Sequence, residues 1–133
     1  FEGRLAHTVE DTAIVLGECF AKALGSKKGI ERYGFALPMD DAKAEVLLDF
    51  GGRTWLEWGV TLKREYVGDF PTEMARHFFA SFCQSGLCNL HISAQGENTH
   101  HILEAVFKAF ARAVRQAIRQ TGGGIPSSKG CLA

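Results

Sequence analysis

The sequence predicts an α+β fold in which helices pack on one face of a mixed, mainly antiparallel sheet. Apolar residues recur at helical spacing in three separate segments, and strand-like segments lie between the helices. The composition, with 46% apolar and 23% charged residues in 133 positions, is that of a domain with a hydrophobic core. No linker divides the chain, so we predict one domain over residues 1–133.

Three helices are predicted from the spacing of apolar side chains. The first spans Thr8 to Leu24, after which Gly25 ends the helix. The second spans Thr72 to Gln84 and begins at a capping threonine that follows a proline. The third and longest begins at Asn98, and its apolar residues recur at intervals of three and four as far as Ile118.

Two segments, residues 43–50 and 53–62, carry the clearest β-strand pattern. They flank Gly51 and Gly52, so we expect them to pair as a β-hairpin. A further strand is predicted within residues 87–94, just before the third helix. The closing segment, residues 121–130, is rich in glycine and serine and is predicted to be a mobile loop.

The charge balance limits the partners of the chain. Fifteen basic and fifteen acidic residues give a formal net charge of zero, which disfavours nucleic acid or a membrane surface as a partner. No apolar stretch reaches the roughly 20 residues of a membrane span, and no signal pattern is present, so a cytoplasmic protein is expected. The four cysteines lack C-x-x-C spacing and are expected to be reduced and mostly buried.

A short internal repeat marks the candidate chemistry. His7 and Glu10 stand at the start of one long apolar-faced helix, and His101 and Glu104 stand at the start of another. Because residues three or four apart share a helix face, His100, His101 and Glu104 can converge on one point. Imidazole and carboxylate groups together suit manganese, iron, cobalt or zinc. The pattern therefore predicts a divalent metal site.

A purely structural interpretation of the same residues stays open. His100 and His101 could serve only to begin a helix, with Glu104 complementing the helix dipole. His91 stands alone on a predicted strand and is interpreted as structural. His77 lies on the second predicted helix, away from both H-x-x-E segments in sequence.

Basic residues form a second group of interest. Arg32 lies in an E-R-Y-G segment, Arg53 follows the double glycine, and Ser128 and Lys129 lie in the glycine-rich tail. Arginine forks, a lysine, hydroxyl groups and exposed backbone amides are groups that bind a phosphate monoester. Each residue alone is more often a solvated surface group, and the tail lacks the spacing of a P-loop. Together they are candidates for a phosphate site.

A series of ordered motifs runs from His7 to the C-terminal end of the chain. They are HTVEDTAI, the K-x-G-I-x-R-Y-G-F run, LPMDDA, the GGR turn, VGDFPTEMARHFF, HHILEAVFKAFARAVRQAI and the closing IPSSKG. In this order and over this length, they resemble the imidazoleglycerol-phosphate dehydratase family. So many ordered motifs make coincidence implausible.

That resemblance implies a hydro-lyase that converts imidazole glycerol phosphate to imidazole acetol phosphate in histidine biosynthesis, through a metal-bound imidazolate. It also implies two manganese ions per active site and a homo-oligomeric shell of about 24 subunits, with active sites between neighbours. The metal ligands that it implies are His7, Glu10, His77, His100, His101 and Glu104. The implied phosphate-binding residues are Arg32, Arg53, Ser128 and Lys129, and the implied catalytic residues are Glu104, Asp40 and Glu10.

The start of the chain departs from the family pattern. In the family, the first H-x-x-E belongs to a D-D-H-H-T-V-E-D motif, whereas here Ala6 replaces a histidine ligand before His7. The resemblance implies duplicated sheet-plus-helices units: an incomplete first repeat over residues 7–37, a second over 38–120, and a phosphate-binding tail over 121–133. Because lost ligands would weaken one metal site, the alternative is a catalytically impaired assembly subunit that binds metal or phosphate.

A nucleic-acid-binding function is the third possibility, because a β-hairpin beside helices also occurs in RNA-binding domains. The neutral chain has no basic face to support that function. We therefore expect a small-molecule substrate and neither nucleic acid nor membrane as a partner.

Overall fold

The computed structural model describes residues 2–36 and 40–132. Residues 37–39, which begin the LPMDDA motif, therefore lie outside the described residues. The elements follow one another as α1 (Glu2–Leu24), β1 (Tyr33–Ala36), β2 (Lys43–Asp49), β3 (Trp55–Val60), β4 (Tyr66–Val67), β5 (Phe70–Pro71), α2 (Glu73–Gly86), β6 (Asn89–Gln95) and α3 (Thr99–Ala117). The α+β class is confirmed.

The main sheet has four strands in the order β1-β2-β6-β3. β2 pairs antiparallel with both β1 and β6, whereas β3 pairs parallel with β6. The sheet is therefore mixed and mainly antiparallel, as the sequence predicts. β4 and β5 form a separate two-stranded ribbon before α2. The short strands β1, β4 and β5 had no counterpart in the sequence prediction, since two to four residues are too few for an alternation to be visible.

The predicted hairpin between β2 and β3 is wrong, because β6 lies between these two strands. With neighbouring strands about 4.8 Å apart, β2 and β3 are separated by about 10 Å. The turn that joins them bonds to the start of β6 instead. The amide of Gly52 donates to the carbonyl of Leu87 at 3.1 Å, and that of Trp55 donates to the carbonyl of Cys88 at 3.3 Å. Alternation identified both strands but could not identify their neighbours.

One face of the sheet carries the hydrophobic core. Ala44, Val46 and Leu48 of β2 are buried and alternate with exposed residues. Leu90 and Ile92 of β6 extend the same face, because they pair in register with β2. α3 packs over β1 and β2, α2 packs over β3, and α1 packs on α2. The helices therefore gather on the apolar face of the sheet, as predicted.

The first helix approaches the second closely at Gly17. A Cβ atom at this position would lie 2.8 Å from both the backbone nitrogen of Gly86 and the carbonyl oxygen of Phe82. Real Cβ atoms do not come so close, so glycine allows the two helices to touch. α1 begins at Glu2, earlier than the predicted Thr8, and ends as predicted before Gly25, whose φ is +52°.

The two later helices begin by different means. Asn98 caps α3, because its side-chain oxygen accepts from the amide of His101 at 3.0 Å. Thr72 occupies the predicted N-cap position of α2, but its side chain makes no capping hydrogen bond. Its hydroxyl donates to the carbonyl of Arg64 at 2.7 Å, so it ties α2 to the preceding loop.

The structure also tests the predictions made for the strand at residues 87–94, the tail and the cysteines. The predicted strand at residues 87–94 is present as β6. The tail has no helix or named strand between residues 121 and 132, and hydrogen bonds hold it to the loop at Gly29. Of the four free cysteines, Cys83 and Cys88 are buried and Cys19 and Cys131 are exposed, so the expectation of mostly buried thiols is half right. In the described part of the chain, no helix is long and apolar enough to cross a membrane.

Candidate active site

The first two turns of α3 bring together the densest group of candidate site residues. The helix begins after the Asn98 cap, and His100 and Glu104 then lie one turn apart on the same face. Nε2 of His100 is 3.3 Å from Oε2 of Glu104. The other carboxylate oxygen, Oε1, is 2.6 Å from Nζ of Lys108, one turn further along. A row of imidazole, carboxylate and ammonium groups therefore runs along the exposed side of the helix.

The neighbouring histidine, His101, has a different partner. Its Nδ1 contacts Oδ1 of Asp41, which lies just before the start of β2 at Lys43. The rings of His100 and His101 are nearly perpendicular, with centroids 6.0 Å apart. Asp40, a predicted catalytic residue, is exposed beside Asp41 with φ +51°. Asp40, Asp41 and the start of α3 therefore form one corner of the described structure.

Both carboxylates at this corner are held in their ionised form. The hydrogen bond from Lys108, together with its charge, lowers the pKa of Glu104, and His100 adds a smaller effect. The hydrogen bond with His101 lowers the pKa of Asp41, helped by the backbone amides of Asn98 and Glu97. An ionised carboxylate beside an imidazole is a donor set that suits a first-row divalent metal.

A cavity of about 410 Å³ opens beside this row of side chains. Its wall combines the polar groups of α3 with apolar side chains from α3 and from the β4–β5 ribbon. The lining residues are Val67, Phe70, His100, Leu103, Glu104 and Phe107. Such a wall could receive a small ring while leaving one side polar.

The other predicted metal ligands lie on different helices. His7 and Glu10 are exposed on α1, and His77 is exposed on α2. His77 borders a second hollow of about 270 Å³, with Trp58 and Arg76 also in its wall. Within residues 2–36 and 40–132, no group of three or more His, Cys, Asp or Glu side chains could hold a metal ion. The donor chemistry fits a divalent metal, but one chain brings together only part of the predicted ligand set.

The predicted phosphate-binding group centres on Arg32, at the opposite end of the sheet. Its Nε and Nη2 donate to the two carboxylate oxygens of Asp49 at 2.6 and 3.1 Å. Its Nη1 donates to the carbonyl of Pro126 in the tail at 2.9 Å, and its guanidinium lies 4.7 Å from the centre of the Tyr33 ring. Since arginine has five N–H donors, two are left over within the described residues for another acceptor.

The other predicted phosphate-binding residues lie in two segments whose backbone passes close to Arg32. A Cβ at Gly51 would lie 2.8 Å from Nη2 of Arg32, so the double-glycine turn that leads to Arg53 passes directly beside the guanidinium. Pro126 holds the tail there, and Ser128 and Lys129 follow it with exposed side chains. The structure therefore gathers the tail and the glycine turn around Arg32.

Several charged residues of these clusters were missed by the sequence analysis. Lys108 lies four positions after Glu104, and this helical spacing could have identified it. Asp41 and Asp49 act through partners 60 and 17 positions away, which no local pattern reveals. Lys27 is buried, and burial lowers its pKa, while the charge of Asp49 opposes that effect. It is the lysine of the K-x-G-I-x-R-Y-G-F run, but the hydropathy pattern gives no signal that its side chain is buried.

The two clusters lie at opposite ends of α3. The amide of Arg32 donates to the carbonyl of Ala117, the last residue of α3, at 2.9 Å, whereas His101 lies in the first turn. At a rise of roughly 1.5 Å per residue, His101 and Ala117 are about 24 Å apart. One small molecule cannot touch both clusters of a single chain.

Comparisons with known proteins point to one family. The family model of imidazoleglycerol-phosphate dehydratase matches residues 4–114. The histidine biosynthesis bifunctional protein HisB of Spirosoma linguale is 55% identical over 129 residues, and that of Bacteroides fragilis is 56% identical over 128. Each match covers 95% of this chain and 34% of the relative, so the chain spans about a third of the length of these curated relatives.

Solved structures show the same fold. The crystal structure of imidazoleglycerol-phosphate dehydratase from Staphylococcus aureus has a TM-score of 0.84 at 39% identity, covering 87% of this chain and 69% of that one. The enzyme from Pyrococcus furiosus has a TM-score of 0.85 at 32% identity, covering 96% of this chain and 72% of that one. Because the family model matches residues 4–114, which is most of this chain, the chain belongs to the imidazoleglycerol-phosphate dehydratase family.

Proposed function

We propose that the chain takes part in the dehydration of imidazole glycerol phosphate to imidazole acetol phosphate, as a cytoplasmic hydro-lyase of histidine biosynthesis. The observation that carries the proposal is the group of His100, His101 and Glu104 on the first turns of α3, beside an open cavity. Imidazole nitrogens and an ionised carboxylate are the donors that a dehydratase metal site needs.

Manganese, two ions per active site, is the proposed cofactor. His100, His101 and Glu104 would hold one part of the site, while His7, Glu10 and His77 lie on other helices. When bound, the metal would withdraw electrons from the substrate's imidazole ring and so make the neighbouring C–H proton more acidic. Within one chain the two sets of ligands do not meet among the described residues.

We infer that each active site is completed by neighbouring copies in a homo-oligomer. The resemblance to the family suggests a shell of about 24 subunits. The argument is the distance of about 24 Å between the metal-side and phosphate-side clusters of one chain. A substrate built from a ring, three carbons and a phosphate is only about 10 Å long. The two clusters that hold one substrate molecule must therefore come from different copies.

The phosphate of the substrate would bind at Arg32, Arg53, Ser128 and Lys129. Asp49 uses one edge of the Arg32 guanidinium, so the remaining two N–H donors would face the phosphate. The tail supplies a hydroxyl and an ammonium group that can close over the anion. Binding energy gained at this remote group would hold the glycerol chain in its reactive geometry.

The proton transfers are assigned to carboxylates. The reaction removes a proton from one carbon and a hydroxyl group from its neighbour as one molecule of water, and the resulting enol rearranges to the ketone. Glu104, Asp40 and Glu10 are the candidates to accept and return the proton. Glu104 is ionised beside Lys108 and can therefore accept a proton, and Lys108 would stabilise the ionised form between cycles.

The test is turnover measured by mass spectrometry, since the product is lighter than the substrate by one water. Purified chain would be incubated with manganese and imidazole glycerol phosphate, and Glu104→Gln would be compared with Glu18→Gln, an exposed residue on α1 away from the cavity. We expect Glu104→Gln to lower turnover by at least about 100-fold and Glu18→Gln to leave it unchanged.

The outcome also separates this function from the alternative of an impaired assembly subunit. A chain that assembles and binds manganese but releases no lighter product would support the alternative, for which Ala6 before His7 is the relevant sequence feature. Equal turnover in Glu104→Gln and wild type would exclude the role given to Glu104.

A further inference from the structure

The two adjacent histidines at the start of α3 have different surroundings. His100 is paired with Glu104 on its own helix and is the more exposed of the two, at 60% against 41% for His101. His101 is paired through Nδ1 with Asp41, which belongs to a distant part of the chain. An imidazole whose Nδ1–H donates to a carboxylate has its lone pair on Nε2. The fold therefore gives the two ring nitrogens of His101 different roles: Nδ1 donates to Asp41, and Nε2 keeps its lone pair.

Asp41 is itself fixed by contacts that do not involve His101. Its Oδ2 accepts from the backbone amides of Glu97 and Asn98 at 3.3 and 3.2 Å. Gly96 packs against this turn so closely that a Cβ would lie 2.8 Å from Cα of Ala42. One carboxylate therefore joins the segment before β2 to the segment before α3.

The contacts of Asp41 are those of an acceptor at both carboxylate oxygens. Oδ2 faces two backbone N–H donors, and Oδ1 faces Nδ1 of His101. Because a carboxylate accepts, the ring nitrogen that faces it carries the proton. Asn98 supports the arrangement from the helix side, because it accepts from the amide of His101 at 3.0 Å.

We propose that Asp41 is a positioning residue that holds the His101 ring with Nδ1–H toward the carboxylate, so that Nε2 is presented as a ligand for a divalent metal ion. The inference rests on the proposed function for its metal, but the ring state itself exists without metal. Carboxylate–histidine pairs of this kind orient the ring and raise the basicity of the ligating nitrogen, and their loss costs about 10- to 100-fold in metal affinity.

A merely structural role for Asp41 makes a different prediction. If the pair only fastens α3 to the sheet, Asp41→Asn should lower stability without changing the tautomer of His101 or the metal affinity of the folded chain. If it positions the ring, the asparagine amide can donate to Nδ1 and move the proton to Nε2, which removes the lone pair needed for a metal.

The test combines two measurements on the full chain. Long-range 1H–15N NMR on the metal-free chain would assign the His101 tautomer, and calorimetric titration with Mn²⁺ would give the affinity. We expect the Nδ1–H form in the wild type, a shift toward Nε2–H in Asp41→Asn, and a loss of Mn²⁺ affinity of about 10- to 100-fold in that variant. The matched control is Glu97→Gln, which removes a neighbouring exposed carboxylate but keeps the hydrogen bond from the backbone amide of residue 97 to Asp41. The Mn²⁺ affinity of this variant should stay within about twofold of the wild type.

The outcomes are distinguishable. An unchanged His101 tautomer in Asp41→Asn, or an equal loss of affinity in Glu97→Gln, would overturn the role of Asp41. Failure of the wild type to bind Mn²⁺ would overturn both the metal-ligand role and the proposed function, while the tautomer measurement would still report whether Asp41 orients the ring. Thermal unfolding of each variant would identify a chain that has simply lost its fold, and Asp41→Glu would then test whether a carboxylate alone restores the wild-type tautomer.

Discussion

α1 and α3 both carry an H-x-x-E segment, but the fold gives these two segments different surroundings. At α3, Asn98 caps the helix, Asp41 holds His101, and Lys108 pairs with Glu104. His7 and Glu10 lie inside α1, which has already begun at Glu2. In the described part of the chain neither side chain has a hydrogen-bond or ion-pair partner. The same motif is thus supported at one helix and left exposed at the other.

This difference shows that the motif alone does not build a site. Spacing places the histidine and glutamate on one helix face, but their orientation depends on residues that arrive from elsewhere in the fold. On this basis the α3 segment should bind metal through preorganised ligands, and the α1 segment should act as a donor only after another copy fixes it.

The largest expected effect separates the two segments directly. His101→Ala should weaken Mn²⁺ binding by about 100-fold, because it removes the oriented ligand, whereas His7→Ala should cost about 10-fold or less. Titration calorimetry on both variants would measure this, with His91→Ala, exposed on strand β6, as the control for loss of an imidazole. Equal losses at His7 and His101 would break the comparison.

A smaller effect tests whether the two segments are coupled through packing. Gly17→Ala should destabilise the chain by about 1–3 kcal/mol, because the new methyl group meets the backbone nitrogen of Gly86 at 2.8 Å. Gly3→Ala, in the first turn of the same helix, has open space around its Cβ and should stabilise α1 by less than the about 0.5–1 kcal/mol expected at a mid-helix position. Denaturant unfolding would give both values. A fall in metal affinity in folded Gly17→Ala would mean that α1 packing supports the α3 site.

The cap of α3 should contribute a modest amount. Asn98→Ala removes the acceptor for the amide of His101 and should cost about 1 kcal/mol, or about 3 °C in Tm for a chain of this size. Asn98→Asp keeps an acceptor and should restore most of the loss. If Asn98→Ala and Asn98→Asp unfold at the same temperature, the cap does not distinguish α3 from α1.

The smallest expected effect is a pH dependence at Asp41. Its pKa in the folded chain is lowered from the usual 3.8, so the stabilisation is present above that usual value and lost as the pH falls through the lower, folded value. The Tm difference between wild type and Asp41→Asn should therefore shrink as the pH falls from about 5 to below 3.8. The metal-free chain would be used, and Asp69→Asn would be measured in parallel as the control for removal of an exposed carboxylate.

The helices were predictable because their signals are local. Apolar spacing identified all three, Gly25 ended the first, and Asn98 began the third. The sheet was predictable only in part. Alternation identified β2, β3 and β6, but the order that places β6 between the other two depends on amides of the 50–55 turn reaching the carbonyls of Leu87 and Cys88.

The candidate site divides in the same way. His100, His101 and Glu104 were predictable because helical spacing makes them neighbours, and Lys108 could have been added on the same ground. Asp41 and Asp49 were not, since each meets its partner only after distant segments have packed together. The meeting of the tail with Arg32 across 94 positions is of the same kind.

The sequence by itself determined the α+β class, the helix boundaries except the start of α1, which lies well before the predicted Thr8, and the residue types that suit a metal and a phosphate. These follow from periodicity and side-chain chemistry, which act within one or two turns of the chain. Only the tertiary structure decided which strands are neighbours, which H-x-x-E segment is supported, and that the His101 and Arg32 clusters lie about 24 Å apart. Those properties depend on burial and on hydrogen bonds between segments far apart in the chain, where a local pattern carries no information.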